Sequence, residues 1–113
     1  MTDEDGYQFT DTSTGSWRPS SQGEGIEVMD LGISDIGQQM QLVRMQPDTP
    51  YPNHRHVDPE FVYMLEGSGR QAGVWMHAGW ASVANTGSLD LGFVSGSDGC
   101  TLLSVYGRAE SIS

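Results

Sequence analysis

The chain has 113 residues and a formal net charge of −10, with five basic side chains, 15 acidic ones, 36% hydrophobic residues and 15 glycines. This is enough chain for one domain around one core and not for two, and its acidic balance, which repels phosphate backbones, argues against a nucleic-acid partner. All five basic residues are arginine, which excludes Schiff-base and pyridoxal-phosphate chemistry, since both need a lysine amine.

Residues 1–24 are rich in Asp, Glu, Thr, Ser and Gly and have no apolar period, so they read as a flexible or loosely draped acidic arm. The first five residues, Met-Thr-Asp-Glu-Asp, are the opposite of a signal peptide's basic start, and no apolar run approaches membrane-spanning length. The expectation is a soluble, cytoplasmic protein with no membrane association. Trp17, alone in a polar arm, is expected to pack on something, either a dimer partner or the outside of the domain.

The domain proper is placed at residues 25–113. Residues 25–31 alternate apolar and polar, residues 32–37 form a loop, and residues 39–46 alternate again. In this second stretch Met40, Leu42 and Arg44 share one face and Gln41, Val43 and Met45 the other, and the pattern leaves open which face is inward. Pro47, Pro50 and Pro52 then impose a stiff, extended approach suited to a loop or sheet edge. Beyond residue 67, short strands are predicted at 74–76, 80–84, 89–94 and 100–106, separated by Gly-rich turns. Strong turn signals recur about every eight to twelve residues, which points to an all-β sandwich or barrel of antiparallel strands. Cys100 is the only cysteine and reads as a small buried strand residue, so no internal disulfide is available.

Residues 54–67 carry the chemistry. His54 and His56 are two apart, so on a strand both imidazoles leave the same face. Asp58-Pro59 is a turn signal, and Glu60 opens the alternating return strand, which ends at Gly67. Two imidazoles and a carboxylate on adjacent strands make a three-point ligand set for a divalent transition metal. The spacing His-x-His-x3-Glu-x6-Gly is that of the first cupin motif, and the sequence strongly resembles a cupin, which implies a single jelly-roll β-barrel. Asp48 stands where that motif usually begins with Gly. Of the second motif only Gly79 and Gly87 remain. Asn85, Asp90 and Val94 occupy the positions where Pro, the fourth ligand His and Asn are usual. Trp17 and Pro19, the stretch 25–31, the strand ending at Arg44 and residues 99–103 further resemble the small cupin group that includes the anti-sigma-factor ChrR C-terminal domain and acetylacetone-cleaving dioxygenases.

The resemblance makes Asp90 either a fourth ligand beside His54, His56 and Glu60 or a turn residue on the surface. His77, before Ala78-Gly79, is either an alternative imidazole or a solvent-exposed side chain. The first functional expectation is a mononuclear non-haem Fe(II) dioxygenase that cleaves a small diketone or aromatic ketone. Its pocket would be lined by Met40, Leu42, Val62, Met64, Trp75 and Phe93. Arg44 would hold a substrate oxygen if its face is inward, and Tyr63 and Tyr106 are either hydrogen-bond donors to substrate or rings that pack with the hydroxyl at the surface. The alternatives are a Zn(II) cyclase, isomerase or lyase in which Glu60 or Asp90 doubles as base, and a non-enzymatic zinc sensor. Mn(II) would suit the same ligands. A 24-residue arm is too short for a helical sigma-binding region, which counts against the sensor. Cupins commonly dimerise through sheet edges, so a homodimer is expected.

Overall fold

The structure, a computed structural model, describes residues 5–112. Every regular element among them is a strand: β1 (Arg18–Pro19), β2 (Ile26–Ile33), β3 (Gln39–Met45), β4 (His54–His56), β5 (Glu60–Gln71), β6 (Val74–His77), β7 (Ala81–Ala84), β8 (Leu89–Asp90), β9 (Val94–Tyr106) and β10 (Ala109–Ser111). The larger sheet runs β1-β2-β3-β9-β5-β6, with β7 also paired to β5, and the smaller runs β10-β4-β8. All pairings are antiparallel, so the chain is an all-β jelly roll, but its barrel is not closed.

The core lies on the inner face of the larger sheet and is built from Ile26, Val28, Val43, Met45, Val62, Met64, Met76, Phe93, Cys100 and Leu102. Burial pushes the Cys100 thiol up to about 11, as expected of a packed rather than a reactive cysteine. The proline-rich approach to β4 is held by backbone bonds from Tyr51 N to Phe93 O (2.9 Å) and from Ser95 N to Thr49 O (3.0 Å). The buried Ser95 hydroxyl adds a bond to Gln46 O at 2.5 Å. Asp48, where the cupin motif has Gly, keeps the left-handed backbone of a glycine, with φ 53°. Gly67 also has a positive φ, 72°, and a Cβ there would overlap the Gly99 carbonyl oxygen, so the last residue of the motif is needed for close strand packing and not for ligation.

On β3, Gln41, Val43 and Met45 are the buried side chains, while Met40 and Arg44 are exposed and Leu42 is half-buried. The expectation that Met40, Leu42 and Arg44 face the pocket is therefore corrected. With a side-chain period of two, the strand could present only one of the two sets inward. Arg44 instead donates to Glu27 Oε1 across the outer face (Nη2 2.9 Å), and its guanidinium lies 4.0 Å over the Trp17 ring. Trp17 thus packs on the outside of the larger sheet. The described part of the arm follows β2: Gln8 exchanges hydrogen bonds with Ile33 (2.5 and 3.0 Å), and Thr10 Oγ1 donates to Leu31 O (2.8 Å).

Candidate metal centre

His54 and His56 leave β4 on its inner face, as a strand period of two requires. In the antiparallel register His54 sits directly opposite Asp90 of β8, a position that brings cross-strand side chains within about 5 Å. Glu60 begins β5 on the same inward parity as Val62 and Met64. One nitrogen or oxygen from each of His54, His56, Glu60 and Asp90 lies within 4.8 Å of all the others.

The ring nitrogens are sorted by what lies behind them. His54 Nδ1 is 3.0 Å from the Pro52 carbonyl, and His56 Nδ1 is 3.1 Å from Ser88 Oγ and 3.3 Å from Ser88 O. Carbonyl oxygens only accept, so the Nδ1 atoms carry protons, and in neutral rings both Nε2 lone pairs point into the site. Those two Nε2 atoms are 3.2 Å apart, and His56 Nε2 is 2.7 Å from Glu60 Oε1. Acceptors this close repel unless a proton or a cation lies among them. Two nitrogens bound to one ion at about 2.0–2.1 Å and roughly at right angles would be separated by about 3 Å. The buried Ser104 hydroxyl donates to the other Glu60 oxygen, Oε2, at 2.6 Å and fixes the carboxylate's orientation.

Asp90 is 7% exposed, its Oδ2 is 3.7 Å from His54 Nε2, and its Oδ1 has no hydrogen-bond partner. Burial raises its pKa. The charge of His54 opposes this, and the charge of Glu60 adds to it. A buried carboxylate with an orphaned oxygen is costly on its own and suited to a cation. The donor set therefore fits a divalent metal, with two imidazoles and two carboxylates.

The four residues open onto a cavity of about 240 Å³. Val62 and Phe93 line it, and so do Val28, Val43 and Leu102. Met64 is fully buried in the core and does not reach the cavity. Trp75, half exposed, points away from it, because Met76 takes the inward position on β6. His77 is exposed and stands edge-on to Trp80, with ring centroids 6.0 Å apart, well apart from the ligand group. Tyr63 is exposed on the outer face of β5.

Among the cavity residues that carry no sequence motif are Gln41, Ser104 and Tyr51. Tyr51 is fixed edge-on to His54 at 5.7 Å, and burial, with Glu60 second, pushes its phenol up to about 12, so it is neutral. Among the described residues its hydroxyl has no hydrogen-bond partner, which leaves it free to donate into the cavity. The one available signal was an aromatic residue held between two prolines just before the first histidine.

The sequence matches the model of the family described as "ChrR Cupin-like domain" over residues 5–109. No curated protein matches it. A putative acetylacetone dioxygenase from Methylibium petroleiphilum PM1 superimposes with a TM-score of 0.87 at 13% identity, over 100% of this chain and 85% of the other. The polyketide cyclase RemF from Streptomyces resistomycificus gives 0.76 at 17% identity, over 95% and 86%. The complex of Rhodobacter sphaeroides SigE with the anti-sigma ChrR gives 0.71 at 20% identity, over 82% of this chain and 50% of the matched one, so the present chain spans half of that relative. At these identities what is shared is the fold.

Proposed function

Because the chain belongs to the family of ChrR cupin-like domains, we propose that its four-residue cluster is a mononuclear metal centre and that the protein is a non-haem iron dioxygenase acting on a small diketone or aromatic ketone. The observation that carries this reading is the convergence of His54, His56, Glu60 and Asp90 on one point at the wall of a cavity of mixed polar and apolar lining. A two-imidazole, two-carboxylate set is harder than an all-histidine one and favours Fe(II) or Mn(II) over softer ions. When bound, Fe(II) supplies Lewis acidity and access to O₂ chemistry.

The side chains supply the rest. The Pro52 carbonyl and Ser88 hold the imidazoles in register, and Ser104 holds Glu60. Val62, Phe93 and Leu102 form the apolar part of the cavity wall beside the ligands. Tyr51 is placed to donate its proton in a hydrogen bond to an oxygen that gains negative charge beside His54. Arg44 has no part in this, since it lies on the other face of the sheet. The similarity to a polyketide cyclase structure supports a second reading, a Zn(II) cyclase or lyase on the same ligands. The similarity to a ChrR complex supports a third, a non-catalytic zinc-binding sensor. The domain organisation proposed is an N-terminal arm over residues 1–24 and a cupin domain over 25–113. The cellular setting proposed is cytoplasmic, as a homodimer with a small-molecule substrate and neither a membrane nor a nucleic-acid partner. Among the described residues no helix is long and apolar enough to cross a membrane.

The test is metal content by mass spectrometry on tag-free protein and on His54→Ala and Glu60→Ala. Near-stoichiometric iron that is lost in both variants, with oxygen uptake on diketones or aromatic ketones, is the expected outcome. Stoichiometric zinc without oxygen uptake would move the assignment to the cyclase or the sensor. No uptake of any divalent metal after reconstitution would end the metal-centre reading.

A further inference from the structure

One side of the cavity is a directional chain of hydrogen bonds that begins in the N-terminal arm. Arg18 on β1 grips Asp30 with two bonds, Nε to Oδ2 at 2.8 Å and Nη2 to Oδ1 at 3.0 Å. This pairing, above all, lowers the Asp30 pKa, so Asp30 is an ionised, acceptor-only group at neutral pH. Gln41 Nε2 donates to Asp30 Oδ1 at 2.8 Å. A carboxylate cannot donate, so the Gln41 amide has one permitted orientation, with its Oε1 turned to Tyr106. The Tyr106 hydroxyl donates to that oxygen at 3.0 Å, with Gln39 Oε1 further off at 3.4 Å. A phenol has one proton, and here it is taken. What Tyr106 has left to offer the cavity it lines is its oxygen lone pairs.

We propose that Tyr106 is a specificity-determining hydrogen-bond acceptor, and that the substrate carries a hydroxyl or N–H donor directed at it, in addition to the oxygen that meets the metal-binding cluster. The cavity then has two polarities: a free donor from Tyr51 beside His54, and a fixed acceptor from Tyr106 on the β3 side. A ligand that presents an ether or a carbonyl to Tyr106 sets acceptor against acceptor in a half-buried place and is rejected. The expectation that Tyr106 donates to substrate is thereby reversed. The inference rests on the cavity being the substrate site of the reading above, and it adds the class of substrate: hydroxylated, and uncharged at that end, because among the described residues the arginines on the cavity, Arg18 and Arg108, are already paired with Asp30 and Asp58.

The experiment is calorimetric titration of tag-free protein, both metal-free and metal-loaded, with acetophenone, its three ring-hydroxylated isomers and the three matching methoxy ethers. Metal content is measured on the same samples. In the wild type at least one hydroxy isomer should bind on the order of tenfold tighter than both its methoxy ether and acetophenone. Tyr106→Phe should bring that isomer to within about twofold of acetophenone while leaving acetophenone itself little changed. Gln41→Leu removes the nearer acceptor of the Tyr106 proton and leaves only the long contact to Gln39 Oε1 at 3.4 Å, so the proton can turn into the cavity and the methoxy ether should rise towards the hydroxy isomer. Should Tyr106→Phe fail to fold by circular dichroism, the wild-type ranking and Gln41→Leu decide. Methoxy ethers binding as well as every hydroxy isomer in the wild type, a preference that survives Tyr106→Phe, or no probe bound by protein that takes up metal normally would each overturn the proposal. Probe selectivity without metal uptake would instead sink the metal centre and leave the acceptor standing.

Discussion

At the scale of single residues, Asp90 has the most consequential surroundings. Its carboxylate is buried, one oxygen has no partner, and Glu60 adds a second negative charge nearby. The Gln71 amide tempers this without reaching hydrogen-bond geometry with Asp90 Oδ1. In metal-free protein such a charge destabilises the fold, whereas with a divalent ion in place the same charge becomes an asset. Asp90→Asn is therefore expected to raise the Tm of the chelator-treated protein by a few degrees and to shrink the further rise that Fe(II) or Zn(II) produces in the wild type. Parallel thermal melts with and without metal read both effects. A variant that melts below the wild type in chelator and gains as much as the wild type from metal would show Asp90 to be a structural turn residue.

At the scale of elements, β1 is a two-residue strand held to β2 by two Cα pairings and by the Arg18–Asp30 pair. Asp30 has a lowered pKa, so its contribution to stability is complete above the unfolded carboxylate value of about 3.9 and is lost as pH falls through the lower folded value. The pair is half exposed and screened by solvent, so this contribution is small. The Tm gap between wild type and Asp30→Asn should be widest near pH 6–7 and close as pH falls below about 4. A gap that stays constant down to pH 3 would contradict it. The same elements show how far the sequence could be read. The grouping of His54, His56 and Glu60 was legible from a period of two and the turn at Asp58-Pro59. The expected hairpin is corrected: β4 pairs with β8 and β10 in the smaller sheet and β5 lies in the larger, so the ligands meet across two sheets. β3 was not legible, because both of its faces mix polar and apolar residues. Its inner face carries Gln41 to serve a polar cavity, and its outer face carries Met40 and Leu42 on an apolar sheet surface, the reverse of the usual pattern. Asp90 was left open because a two-residue strand has no period of its own, and only the pairing of β8 with β4 turns it inward.

At the scale of the whole molecule, the outer face of the larger sheet bears on the expected homodimer. The cross-strand register lines up Leu42, Leu103 and Tyr63 in one row and Met40, Val105 and Phe61 in the next, all six uncharged. Met40, Phe61 and Tyr63 remain between 41% and 48% exposed. A contiguous apolar patch of this kind on a protein with a net charge of −10 marks an association surface. In the proposed homodimer a second copy would meet it with the same neutral patch across a two-fold axis, leaving the charges at the rim. Overall repulsion between two acidic chains opposes that pairing and is screened by salt, so the dimer should tighten as ionic strength rises. Light scattering at tens of micromolar protein is expected to give about 25 kDa, twice the 12.3 kDa chain, with dissociation favoured at low salt. Phe61→Glu combined with Tyr63→Glu places like charges opposite each other at the centre of the contact and should yield a folded monomer at every salt concentration. A wild-type mass of one chain across the whole salt range would remove the sheet face as an interface. A dimer that ignores both substitutions would move the contact to the sheet edges, where β1 and β6 end the larger sheet.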